Sequence, residues 1–119
     1  MSDITKLCAN HLRTLSNNYG VNKLKSAHAH ELVAAFFGYK SKAALLADTL
    51  FPINNIKQSN ILILTPSFMD ERRKLLEGLP SELPESSLLI EEMCFYLESI
   101  GQFSGRYFKT GGIHLRKLR

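Results

Sequence analysis

The sequence predicts an α+β fold, mainly helical, with about five helices and a small antiparallel sheet that includes a C-terminal hairpin. Three observations carry this expectation. Apolar residues recur at three- and four-residue spacing in five stretches. Ile61-Leu62-Ile63-Leu64 is a continuous apolar run bounded by turn residues, and two alternating runs flank Gly111-Gly112. At 119 residues and 45% apolar composition, the chain reads as one domain over 1–119. Residues 1–50 form a three-helix module, and 51–119 supply the strand, two helices and the hairpin.

The first helix is expected from about Asp3 to Asn18. Ile4, Leu7, Cys8, Leu12 and Leu15 make one apolar stripe, Asp3 is placed to cap it, and Asn17-Asn18-Tyr19-Gly20 is a stop signal. The second begins at Ser26 as N-cap and runs to Phe37. Its inner face is Ala29, Leu32, Val33 and Phe36, and Gly38 ends it. Ser41 caps a third, shorter helix reaching about Thr49, with Ala44, Leu45 and Leu46 on its apolar side. Phe51-Pro52 and Asn54-Asn55 then read as breaker and loop.

Ile61–Leu64 is expected to be a buried strand. Thr65 caps a fourth helix from Pro66, a residue tolerated in the first helical turn, to about Glu77. The charged centre of this helix, Asp70-Glu71-Arg72-Arg73-Lys74, reads as a solvated face. A fifth helix runs from about Ser87 to Ile100 on the stripe Leu89, Ile90, Met93, Leu97 and Ile100, and Gly101 stops it. Arg106–Thr110 and Ile113–Lys117 are the arms of the hairpin, joined by a two-residue primed turn at Gly111-Gly112.

The net charge of +4 has a block structure. Residues 1–65 carry seven basic and three acidic side chains, residues 66–99 three basic and eight acidic, and residues 100–119 five basic and none acidic. The basic end either packs against the acidic helices or meets an anionic partner such as nucleic acid. No apolar run approaches the ~20 residues of a membrane span, and Met1-Ser2-Asp3-Ile4-Thr5-Lys6 lacks a basic-then-apolar signal layout. Cys8 and Cys94 sit in apolar helical patterns and read as reduced, buried thiols of a cytoplasmic protein.

In the expected hairpin, one face is Phe108, Thr110, Ile113 and Leu115. The other is Tyr107, Lys109, His114 and Arg116, which is basic and half aromatic. A two-stranded ribbon fits the DNA major groove, its cations neutralise phosphates, and Tyr107 offers a stacking face for an unpaired base. These four residues are the expected nucleic-acid contacts. His30 to Thr49 has a helix-turn-helix-like pattern with Ala34 and Gly38 at the crossing. Its second helix contains no Arg, Asn or Gln for bidentate base reading, so base-specific recognition there is not expected.

Leu24-Lys25-Ser26-Ala27-His28-Ala29-His30-Glu31-Leu32-Val33-Ala34-Ala35-Phe36-Phe37-Gly38-Tyr39-Lys40-Ser41-Lys42-Ala43-Ala44-Leu45-Leu46-Ala47 resembles a small helical bacterial module. Its pattern is a Ser-His start, a Glu-Leu-Val-Ala centre, Gly-aromatic, and a short leucine-rich helix. The module is the glyoxalase-related (glyoxalase superfamily) domain of uncharacterised bacterial and plasmid-borne proteins, and the likeness covers about residues 8–48. It implies a bacterial, often mobile-element setting. It brings over no glyoxalase chemistry and no catalytic residue.

Catalytic patterns are few. His28 and His30 point about 200° apart on a helix, and the remaining pair His28/Glu31 does not make a metal site. Neither cysteine has a nearby basic partner, no Gly-x-Ser-x-Gly is present, and the carboxylate pairs Asp70/Glu71 and Glu91/Glu92 diverge. The expectation is therefore no catalytic residue, no metal and no cofactor. It is a non-catalytic accessory protein whose partner is nucleic acid, bound without sequence preference. The alternative is a protein-interaction or regulatory module, and a small enzyme stands third. No particular oligomeric state is expected.

Overall fold

The computed structural model describes residues 4–20, 24–47, 61–80, 82–104 and 106–109. Five helices carry the fold among them: α1 (Ile4–Asn18), α2 (Ser26–Phe36), α3 (Lys42–Ala47), α4 (Pro66–Leu75) and α5 (Ser86–Ser99). α1 packs on α2 and α5, and α4 packs on α2 and α5. Four helices therefore contact one another in a closed ring around one apolar cluster, and α3 is appended to α2.

The stripes explain the ring. α1 buries Ile4, Cys8, Leu12 and Leu15, and α5 buries Leu89, Ile90, Met93, Cys94 and Leu97, at the spacing that keeps one helix face inward. The Ser16 hydroxyl is buried in α1 and donates to the Leu12 carbonyl at 2.9 Å, so it costs little there. α2 is different. Leu32, Val33, Ala34, Ala35 and Phe36 are buried in succession, because α2 has α1, α4 and α3 on different sides. The expected inner face was too narrow for a helix at the centre of the fold.

Helix ends follow the expected signals with small shifts. Gly38, at φ 88°, ends α2: its N–H donates to Ala35 O and the Tyr39 N–H donates to Ala34 O, a pair of bonds that needs a left-handed residue between them. Gly101 closes α5 in the same way. The Ser41 Oγ accepts from the Ala44 N–H at 3.1 Å and caps α3 as expected. Ser26 does not cap α2: Lys25 holds the capping position and Ser26 is the first helical residue. In α3 only Leu45 is buried, while Leu46, one residue on and about 100° round the helix, is 61% exposed.

The fold class is corrected to all-α. The expected antiparallel sheet is not found among the described residues. Two four-residue segments, β1 (Ile61–Leu64) and β2 (Arg106–Lys109), pair in parallel, with Ile61 opposite Arg106 and Leu64 opposite Lys109. Antiparallel neighbours need only a short turn, but parallel neighbours need a long crossover, which the α4–α5 stretch provides. β2 takes a partner more than forty residues away in the chain. A ladder this short is too small to form a layer of its own. Gly111-Gly112 and the second hairpin arm, 113–117, lie outside the described residues.

Candidate nucleic-acid interface

Two of the four residues expected to touch nucleic acid, Tyr107 and Lys109, fall within the described residues. Tyr107 and Lys109 stand in β2, opposite Leu62 and Leu64 of β1. His114 and Arg116 lie outside the described residues.

A different surface takes shape on α1. Its inner stripe leaves Lys6, Asn10, Arg13, Thr14 and Asn17 exposed, with Lys6, Asn10, Arg13 and Asn17 spaced by four, three and four residues along one outer face. No Asp or Glu occurs from Ile4 to Asn18. Lys25, at the start of α2, is also exposed. This face holds the residue types that contact phosphates and base edges: lysine as a point charge, arginine as a fork, and asparagine as a paired donor and acceptor. The same three-and-four spacing that reveals the apolar stripe would have found it.

Asn10, Arg13, Thr14 and Asn17 line a polar groove of about 320 Å³, and the buried Leu24 closes its side. The Arg13 Nε donates to the Leu24 carbonyl at 3.0 Å, which ties the guanidinium to the start of α2 and limits its motion. The Thr14 hydroxyl donates to the Asn10 carbonyl at 3.1 Å.

Other polar clusters are taken up by packing. Glu31 Oε1 accepts from Arg72 Nη2 at 2.9 Å and from the Lys42 N–H at 3.1 Å, clamping α2 to α4 and to the start of α3. Glu31 is thus engaged, and among the described residues no group of three or more His, Cys, Asp or Glu is placed to hold a metal ion. Arg73 reaches across to the segment before α5, where it bonds Leu83 O, Pro84 O and Ser86 Oγ. The centre of α4 is therefore not simply a solvated face, because two of its three cations hold the fold together. Cys8 and Cys94 are buried and form no disulfide. No helix among the described residues is long and apolar enough to cross a membrane.

His11 sits on the half-buried side of α1, stacked on Tyr96 of α5 with ring centroids 4.1 Å apart and planes 9° from parallel. Its Nε2 is buried with no hydrogen-bond partner. Desolvation pushes the imidazole below its ordinary value, and Glu92 offsets part of that. The folded state therefore resists protonation that the unfolded chain accepts near its usual pKa of about 6.5. Stability is expected to be intact above that pH and to fall as pH drops through it toward the lower folded value. His11→Phe keeps the stack and removes the proton. Unfolding midpoints measured between about pH 5 and pH 7.5 should diverge from those of the parent only on the acid side; parallel curves would exclude this role.

Comparison of the chain with protein-family models, with curated proteins and with solved structures finds no match.

Proposed function

We propose that this chain is a non-catalytic accessory protein of the bacterial cytoplasm that associates with nucleic acid without strong sequence preference. The observation that carries the reading is the outer face of α1: Lys6, Asn10, Arg13, Thr14 and Asn17, all exposed, with no acidic residue anywhere on the helix. The five basic and no acidic residues of 100–119 add to it. A cationic face of this kind neutralises phosphates and releases their counterions, so its affinity is steeply salt-dependent. The non-catalytic part is supported by the engagement of Glu31 and Arg73 in packing. The bacterial, mobile-element setting comes from the likeness over residues 8–48.

The test is binding of generic single- and double-stranded oligonucleotides at several salt concentrations. The parent is expected to bind with a dissociation constant of about 10⁻⁴–10⁻⁶ M at physiological salt, and more tightly at low salt. Lys6→Ala with Lys25→Ala, both exposed cations, should flatten the log–log salt slope by about two units. Affinity no better than about 100 µM at low salt, or an unchanged slope in the double variant, would remove this reading.

A second reading, a protein-interaction module, is favoured by one observation. Phe68 and Leu75 of α4 line a largely apolar groove of about 230 Å³ with Lys40, Glu71 and Arg72, and Leu75 is 70% exposed. An apolar groove bordered by charged side chains is a surface that a partner's apolar side chain can fill.

A further inference from the structure

We propose that the groove beside Arg13 receives a single guanine base splayed out of a single strand, with Arg13 reading its O6 and N7. This rests on the nucleic-acid reading above and makes it specific at one position.

The shape comes first. Elements that read a duplex enter its major groove and must project outward. Here the polar residues line a concavity, and the arginine is tied back to Leu24 O. A concave site takes in a group that the ligand extends, and an unpaired base can be extended where a paired one cannot. The volume, about 320 Å³, is at the small end of the range for ligand sites, roughly 300–1,000 Å³, and suits one base. Leu24 borders the groove and, being 4% exposed, is a fixed part of its edge. Tyr19, half exposed and two residues beyond Asn17, is an aromatic platform at the same end of α1.

The donors and acceptors come second. With Nε on Leu24 O, and no other hydrogen bond of Arg13 among the described residues, the two Nη groups form a donor fork of fixed direction. Guanine presents two neighbouring acceptors, O6 and N7, to such a fork. Adenine places an N6 donor beside N7, so one arm of the fork would meet an N–H. The Thr14 hydrogen is committed to Asn10 O, which leaves its oxygen as an acceptor. The Asn10 and Asn17 carboxamides supply both kinds of group. Guanine's opposite edge carries N–H donors that these acceptors can meet.

The experiment uses the full chain and fluorescently labelled oligo(dT) strands that differ only in one central base, guanine or adenine, followed by anisotropy. The guanine strand is expected to bind about tenfold more tightly, the discrimination typical of one good bidentate contact. Arg13→Lys keeps the charge but loses the fork. It should bind both strands equally, at the parent's affinity for the adenine strand and with an unchanged salt slope. Asn17→Ala, at an exposed position, is a second variant that should narrow the difference. Equal affinity of the parent for the two strands overturns the guanine site and leaves the nucleic-acid reading standing. Binding of neither strand overturns both. A duplex bound with the same guanine dependence overturns the single-strand part. Guanosine monophosphate bound as tightly as the strand would make the site one for a free nucleotide.

Discussion

Phe36→Ala is expected to destabilise the fold by about 3–5 kcal/mol, the cost of removing a buried phenyl ring and leaving a partly collapsed cavity. Phe36 is 2% exposed and lies at the C-terminal end of α2, where its ring meets Phe37 edge-on with centroids 4.8 Å apart. α2 is the helix with neighbours on three sides, so the hole cannot be filled by sliding one partner inward. Domains of this size have about 5–15 kcal/mol in total, and the variant should lose a large share of it. Urea unfolding is the measurement, with the midpoint moving and the slope constant. Leu46→Ala is the control: Leu46 is 61% exposed, so its loss should stay within about 0.5 kcal/mol. A cost below about 1 kcal/mol at Phe36 would mean that α2 presents its other side to the core.

The contrast between Phe36 and Leu46 shows where sequence reading succeeds. In α1 and α5 the helix is long enough for the three-and-four pattern to decide its inward face, whereas in α2 the pattern finds only part of what several neighbours bury. Six-residue α3 is too short, and Leu45 and Leu46 look alike until one is buried. Helix stops at Gly38 and Gly101 were legible because a left-handed residue is a local demand. The parallel pairing of β1 with β2 was not, because strand partners are chosen by where the intervening helices put them. β2 pairs with a segment more than forty residues before it, which no local turn signal announces. Interface residues follow the same division. The face of Lys6, Asn10, Arg13 and Asn17 is periodic and was readable. The groove was not, because it requires Leu24 to approach Arg13 from eleven residues away.

The adjacent cations of α4 provide the second large effect. Arg72, Arg73 and Lys74 are adjacent cations in the sequence, yet Arg73→Met is expected to cost about 1.5–3 kcal/mol, the range for hydrogen bonds to a charged group. Arg73 Nη1 donates to Pro84 O at 2.8 Å and to Ser86 Oγ at 3.2 Å, and Nη2 donates to Leu83 O at 3.3 Å. Ser86 Oγ in turn donates to Asp70 Oδ1 at 2.5 Å. Without the guanidinium, two carbonyls of the connection before α5 lose their donor, and Asp70 loses the nearby cation. Burial lowers the Arg73 pKa and Asp70 pulls it back up; a guanidinium starts so high that it stays charged at neutral pH. Arg73→Lys should recover little, because one ammonium cannot span both carbonyls and the serine with a planar fork. Lys74→Met is the neighbouring control. Its Glu71 partner is 3.8 Å away, and both side chains are about three-quarters exposed, a pair that contributes roughly 0–1 kcal/mol. Chemical unfolding of the three variants, with protease nicking between Glu82 and Glu85 as a local readout, separates them. If Arg73→Met and Lys74→Met unfold at the same midpoint, the connection before α5 is held by the burial of Leu83 and not by the fork.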